Sequence, residues 1–218
     1  LKSRLSAAQK LNNKGFNVQP GEVITASYAA AVYLRQLQPR SAWVMLEREG
    51  LDEFAGIPQD MQNPEVIVVG DNRSRFDFTH LNHALRLLRQ GARLVGMQSE
   101  MLDSSLGELE LNVGAWVHML EAASGVPATY TGKPAPFAYE LTLRSMELER
   151  DQVITVGDRV HTDVLGARNY GLRSVLVKTG EFHPADLEAG PQPDYALDSL
   201  AELPTLLRDL IPPFEAPR

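Results

Sequence analysis

Two carboxylates stand five positions apart where an apolar segment ends in the second half of the chain. Residues 153–156 are followed by Gly157, Asp158 and, after a short polar stretch, Asp163. In open α/β sheets, ligands bind beyond the carboxyl ends of the strands. Carboxylates at that place suit Mg²⁺, which takes oxygen ligands and usually keeps several waters. Taken alone, the Gly-Asp pair is more often an ordinary turn, and Asp163 would also suit the first turn of a helix.

A lysine between glycine and proline follows another short strand-like segment. In Thr131-Gly132-Lys133-Pro134, the proline favours extended backbone at the lysine. Alone, Lys133 would be read as a solvated loop residue. Asp158 follows 25 residues later, and one strand–loop–helix–strand unit fits between them. We therefore expect Lys133, Asp158 and Asp163 at the same end of neighbouring parallel strands, where a cation and two carboxylates would suit phosphoryl transfer to an aspartate.

Helix-like and strand-like segments alternate along the chain, and this pattern predicts an α/β fold. The stretch 97–110 is polar and irregular and is predicted to be a loop, and the tail 212–218 is predicted to fray. One helix is expected between the N-cap residue Asp77 and Gly91. The other predicted helices are 1–11, 28–37, 114–123, 136–148, 162–169 and 200–210. The predicted strands are 42–46, 66–69, 93–96, 128–131, 153–156, 174–177 and 195–197.

Composition excludes several classes of protein. The 218 residues include no cysteine, so neither a disulfide framework nor a thiolate metal site can form. The net charge of −7 and the scattered basic residues argue against nucleic-acid binding. No apolar run approaches the roughly 20 residues that span a bilayer, which argues against a membrane protein. A cytoplasmic location fits these features and is our prediction.

Several motifs together resemble the haloacid-dehalogenase (HAD) phosphatases, in particular their NagD-like, p-nitrophenylphosphatase branch (subfamily IIA). The segments that resemble motifs III and IV of the family are Gly132-Lys133-Pro134 and residues 157–167. Segments typical of the branch are residues 169–171, 174–180, 193–195 and 197–200. The upstream likeness covers residues 11–15 and 24–31, which resemble the segment after motif II. A weaker likeness covers residues 66–70, 78–79 and 81, which resemble the cap.

This resemblance implies a Mg²⁺-dependent phosphatase that acts on a small phosphorylated substrate through an aspartyl-phosphate intermediate. In such an enzyme Asp158 binds the metal directly and Asp163 supports it. Lys133 neutralises the nucleophile and the transferring phosphoryl group. The implied architecture is a Rossmann-like HAD core with a parallel sheet, into which an α/β C2-type cap is inserted. We expect the core at residues 1–38 and 123–218 and the cap at 39–122.

The sequence departs from the family at its beginning. The family's first motif is a strand that ends in Asp-x-Asp and carries the nucleophile and the general acid, and no Asp-x-Asp occurs in the 218 residues. The first residue is Leu1, and the second motif of the family would lie before it. We therefore expect an N-terminally truncated chain, whose core sheet is incomplete and which is inactive as it stands. In the cap, Met97-Gln98-Ser99-Glu100 replaces the Thr-Asn-x-Asp of many relatives, which leaves the substrate open.

Two other interpretations remain. One is a non-catalytic HAD-like protein that binds a ligand or partner without turnover. The other is a flavodoxin-like receiver domain, which also combines Asp, Lys and Mg²⁺ but has no place for a cap-like insertion. The oligomeric state is open, with a homodimer as one alternative.

Overall fold

The structure, a computed structural model, describes residues 1–103 and 107–210. The chain forms two compact units, Leu1–Ser145 and Met146–Arg218. The α-helices are α1 (Arg4–Asn12), α2 (Ala26–Leu37), α3 (Phe78–Arg89), α4 (Val113–Ser124), α5 (Pro136–Met146), α6 (Leu165–Tyr170), α7 (Pro184–Ala189) and α8 (Leu203–Leu210). The strands are β1 (Ala42–Met45), β2 (Val66–Val69), β3 (Arg93–Gly96), β4 (Leu102–Asp103), β5 (Glu110–Leu111), β6 (Ala128–Tyr130), β7 (Ile154–Gly157), β8 (Arg173–Val177) and β9 (Tyr195–Leu197).

The predicted α/β class is confirmed in the first unit by a parallel sheet with the strand order β1-β2-β3-β6. All residues of β1 and β2 are buried, as expected for a parallel sheet that is covered on both faces. Alternate residues of β1 serve the two faces. Ala42 and Val44 pack with the buried residues of α2, whereas Trp43 and Met45 pack with those of α3 and α4.

Local signals located the helices of this unit well. The Asp77 side chain accepts a hydrogen bond from the backbone N–H of His80 at 2.8 Å, which confirms Asp77 as the N-cap of α3. Gly125 ends α4 with φ +75°, a left-handed conformation that favours glycine. Among the described residues, no helix is both long and apolar enough to cross a bilayer.

The prediction of a loop at 97–110 is wrong at residues 102–103 and at residue 110, which belong to short strands. β4 and β5 form an antiparallel pair in which Leu102 faces Leu111 and Asp103 faces Glu110. Each strand is only two residues long, so no period-2 pattern can develop in the sequence. Residues 104–106, and the predicted frayed tail 212–218, lie outside the described residues.

The strand β6, the last in the four-stranded sheet, lies in residues 123–218, which the sequence analysis assigned to the core. β6 pairs with β3, with Leu94 opposite Ala128 and Gly96 opposite Tyr130. The helix α2, also assigned to the core, packs on the same sheet. The pairing and packing therefore extend this unit on both sides of residues 39–122. The division of the chain into core and cap stays a prediction.

The second unit has a three-stranded parallel sheet in the order β7-β8-β9. Val160, Val164 and Leu176 form its small buried cluster, against which Phe182 and Leu187 pack. In the part of the chain that the structure describes, β7 is an edge strand, and Val156 on it remains 38% exposed. Among the described residues, no strand pairs with the other side of β7.

Hydrogen bonds to Glu121 of α4 connect this helix to β6, the strand that precedes Lys133 in the chain. Tyr130 donates to Glu121 Oε2 at 2.7 Å, and the backbone N–H of Ala128 donates to Glu121 Oε1 at 2.7 Å. Burial alone would raise the pKa of Glu121, but hydrogen bonds from Ala128, Tyr130 and His118 outweigh it and lower the pKa. Burial, followed by the bond to Glu121, raises the pKa of Tyr130 above its ordinary value of 10.0.

Replacing Tyr130 with phenylalanine should lower the free energy of unfolding by about 1 kcal/mol, because a hydrogen bond to a carboxylate is lost. A raised folded-state pKa contributes stability that is complete below the unfolded value, here 10.0, and is lost as the pH rises through the folded value. Denaturant unfolding across alkaline pH should therefore show a steeper loss of stability in the wild type than in Tyr130→Phe. Tyr195→Phe is the control, since the Tyr195 hydroxyl has no hydrogen-bond partner among the described residues. Identical alkaline profiles for wild type and Tyr130→Phe would contradict this prediction.

Candidate functional site

Asp158 lies directly after β7, at the carboxyl end of the parallel sheet of the second unit. Its Oδ2 accepts a hydrogen bond of 2.8 Å from the backbone N–H of Glu181. The preceding Gly180 has φ +67°, and a Cβ there would collide with that same Oδ2. Glycine at position 180 thus permits the close approach of backbone to carboxylate that fixes one oxygen of Asp158.

Asp163 is nearly buried, with 9% of the residue exposed, in a π-helical segment, Val160–Val164, that precedes α6. The sequence predicted an α-helix over 162–169, and its first residues adopt this wider turn instead. The Arg159 carbonyl accepts from the backbone N–H groups of both Asp163 and Val164. Such π turns occur frequently at functional sites.

The side chain of Asp163 folds back over the end of β7. Its Oδ2 accepts from the backbone N–H of Arg159 at 3.2 Å, so part of its role is to satisfy the start of the helical segment. A Cβ at Gly157 would collide with the Asp163 carboxyl group. Gly157 is therefore needed to bring the Asp163 carboxylate against the strand end from which Asp158 emerges.

Lys133 lies in the first unit, in the turn that joins β6 to α5. The backbone N–H of Ala135 donates to the Gly132 carbonyl at 3.0 Å and closes this turn. The Lys133–Pro134 peptide bond is cis. A Cβ at Gly132 would meet the Met97 carbonyl oxygen, so glycine allows the turn to pack against the segment after β3. Lys133 itself is exposed.

The structure brings two of the three predicted site residues together. Asp158 and Asp163 lie around one strand end of the second unit, as the sequence predicted. Lys133 belongs to the other compact unit, and its convergence with the carboxylates stays a prediction.

The chemistry of this donor set fits Mg²⁺. Asp158 and Asp163 offer hard carboxylate oxygens, and protein sites commonly hold this ion through one or two carboxylates with waters completing its shell. Across residues 1–103 and 107–210, no group of three or more His, Asp or Glu side chains is arranged as a metal site. Any ion at Asp158 and Asp163 would therefore rely on further ligands beyond these two side chains.

Sequence reasoning missed Arg159, Gly180 and Glu181 as residues around the site. The Arg159 guanidinium forms an ion pair with the Glu181 carboxylate, which links the loop after β7 to the turn after β8. No spacing rule marks such a pair, because its members lie 22 positions apart and meet only when β7 and β8 pair. The sequence signals were that Arg159 lies in the segment 157–167, which resembles motif IV, and that Gly180 lies in a segment typical of the NagD-like branch.

Comparison with known proteins gives consistent likenesses. The model of the HAD-hydrolase-like family matches residues 130–203. A bovine (Bos taurus) phospholysine phosphohistidine inorganic pyrophosphate phosphatase is 34% identical over 213 residues, 94% of this chain and 76% of that protein. The structure of a 4-nitrophenylphosphatase from Thermotoga maritima aligns with TM-score 0.86 and 26% identity over 94% of this chain and 80% of that one. The structure of NagD from E. coli K-12 aligns with TM-score 0.82 and 26% identity, over 92% and 80% respectively.

Proposed function

We infer the reaction from the premise that this chain belongs to the HAD-like hydrolases: it is a phosphatase, and we propose that it is Mg²⁺-dependent and acts on a small phosphate monoester. The family resemblance derived from residues 132–134 and 157–167 is confirmed. The observation that carries the finer proposal is the pair of carboxylates, Asp158 and Asp163, around the end of β7. Each has one oxygen held by a backbone N–H.

The proposed reaction has two displacements. A carboxylate oxygen of an aspartate attacks phosphorus, and the ester P–O bond breaks while the leaving oxygen takes a proton. Water then attacks the phosphorus of the acyl phosphate, which releases inorganic phosphate and restores the carboxylate. Both steps gather negative charge around one phosphoryl group, so preorganised positive charge should be the main source of acceleration.

This chain's residues supply the electrostatic part of the site in the proposal. Asp158 would hold Mg²⁺ directly and Asp163 would support it. When bound, the ion neutralises charge on the phosphoryl oxygens. Lys133 would place its ammonium beside the nucleophile and the phosphoryl group. Because Asp158 and Asp163 are themselves anions, a substrate phosphate could approach them only with these cations in place.

The nucleophile needs a strand that ends in Asp-x-Asp, a motif that does not occur in the 218 residues. We propose that such a strand pairs with the open edge of β7. A strand there would cover Val156, whose exposure of 38% is high for a parallel sheet. Its carboxyl end would then lie next to Asp158.

The test is release of p-nitrophenol and phosphate from p-nitrophenyl phosphate, with Mg²⁺ and with EDTA. Two proteins are compared: the 218-residue chain, and the same chain joined at Leu1 to a segment that carries an Asp-x-Asp strand. We expect Mg²⁺-dependent turnover in the second only. Folding of both is checked by circular dichroism. A folded extended protein without turnover would contradict the phosphatase proposal and favour the alternative, a non-catalytic HAD-like binding protein.

The substrate panel follows from the relatives' names. The bovine relative is named for phospholysine, phosphohistidine and inorganic pyrophosphate, and the T. maritima protein for 4-nitrophenyl phosphate. We propose that this chain takes a small phosphorylated compound of similar size. Comparing kcat/KM for pyrophosphate, phosphohistidine and sugar phosphates would distinguish P–O–P, P–N and monoester cleavage.

A further inference from the structure

We propose that Arg159 and Glu181 are positioning residues, whose ion pair holds Asp158 in the orientation that binds a divalent cation. The inference rests on the proposed function, because it assumes that Asp158 is a metal ligand. It assigns a task to two residues outside the predicted catalytic set.

Two loops of the second unit lie next to each other. β7 and β8 are parallel and in register, with Gly157 opposite Leu176. The loop after β7 carries Asp158 and Arg159, and the turn after β8 carries Gly180 and Glu181. Because the two strands are parallel, these two connections lie at the same carboxyl end of the sheet.

The backbone and the side chain of Glu181 contact two consecutive residues of the loop after β7. The Glu181 N–H donates to Asp158 Oδ2 at 2.8 Å, and the Glu181 carboxylate pairs with the Arg159 guanidinium. No described residue donates a hydrogen bond to Asp158 Oδ1. The arrangement therefore fixes one carboxylate oxygen and leaves the other for a cation.

Loss of the Arg159–Glu181 ion pair would weaken the hydrogen bond between the Glu181 N–H and Asp158 Oδ2. The turn that carries Glu181 is also anchored by Phe182, which packs on Val160 and Val164. Its polar connections to the loop after β7 include the Asp158 hydrogen bond and the Arg159 ion pair. The two paired side chains are 25% and 32% exposed, so solvent screens them less than a pair on the open surface.

If Arg159 and Glu181 acted on the cation only through their charges, their substitutions would have different effects on cation binding. If Glu181 only added negative potential, Glu181→Gln would weaken cation binding and Arg159→Gln would strengthen it. If the pair positions Asp158, both substitutions weaken binding. The double substitution should then cost little more than either single one, because both remove the same interaction.

The experiment is a Mg²⁺ titration of the 218-residue protein followed by the backbone amide NMR signals of residues 157–181. Hydrogen exchange of the Glu181 amide is measured in the absence of metal. The variants are Arg159→Gln, Glu181→Gln, the double substitution and Asp158→Asn. The control is Glu188→Gln, which removes an exposed acidic charge on α7 in the same unit.

We expect Arg159→Gln and Glu181→Gln each to weaken Mg²⁺ binding by about tenfold, the lower end of the cost of removing a residue that orients a metal ligand. Both should speed exchange of the Glu181 amide, and Glu188→Gln should change neither. Tighter Mg²⁺ binding in Arg159→Gln, or unchanged amide exchange in both single variants, would overturn the inference. Mg²⁺ binding that survives Asp158→Asn would instead contradict the metal assignment in the proposed function, and amide exchange would still decide whether the pair positions Asp158.

Discussion

Replacing Lys133 with alanine in the protein that carries an Asp-x-Asp strand should lower kcat for p-nitrophenyl phosphate by about 10²–10³-fold, the usual cost of one preorganised electrostatic donor. The proposal places this ammonium beside at least two carboxylates and a phosphoryl group. Without it, those anions face one another in a partly dehydrated crevice. The measurement is steady-state phosphate release at saturating Mg²⁺.

Two further variants sharpen this prediction. Lys133→Arg should also be poor, because a planar guanidinium does not replace a compact ammonium at a tight site. Lys14→Ala is the matched control, since Lys14 is an exposed lysine of the same compact unit. Normal turnover in folded Lys133→Ala would show that the assignment of Gly132-Lys133-Pro134 is wrong, and the phosphatase mechanism proposed for this chain would fail with it.

Asp158→Asn should reduce turnover of the same extended protein by at least about 10²-fold, comparable to the loss of an electrostatic stabiliser. Asparagine keeps the shape and an oxygen that can accept the hydrogen bond from Glu181, but it removes the charge that attracts Mg²⁺. The measurement is the Mg²⁺ dependence of kcat, together with an NMR titration of metal binding. A metal effect should be visible in both readouts.

The controls for this substitution change side chains elsewhere in the second unit. Asp151→Asn changes an exposed carboxylate, and His161→Ala removes the 3.5 Å contact with Asp186. Neither should alter the Mg²⁺ dependence appreciably. If Asp158→Asn and Asp151→Asn behave alike, Asp158 is not a metal ligand and its bond to Glu181 is purely structural.

The sequence by itself determined much of the secondary structure and the family. Residues 66–69 and 93–96 were predicted as strands and are β2 and β3. Local composition identifies these strands. β2 is apolar throughout because both faces of a parallel sheet are buried. The N-cap hydrogen bond of Asp77 at the start of α3 is likewise local, since it joins residues three positions apart. Lys133, Asp158 and Asp163 could be predicted as site residues because their motifs are contiguous in sequence.

Only the tertiary structure decided the contacts between segments that are distant in the chain. The pairing of β6 with β3 could not be predicted from residues 128–130, because a three-residue strand carries no information about its neighbour. At the π turn Val160–Val164, the Asp163 carboxyl group packs against Gly157 of β7. The Arg159–Glu181 pair forms because parallel β7 and β8 end at one edge. Local propensity determines which residues form elements, whereas the orientation of the Asp158 carboxylate depends on a backbone N–H 23 positions away.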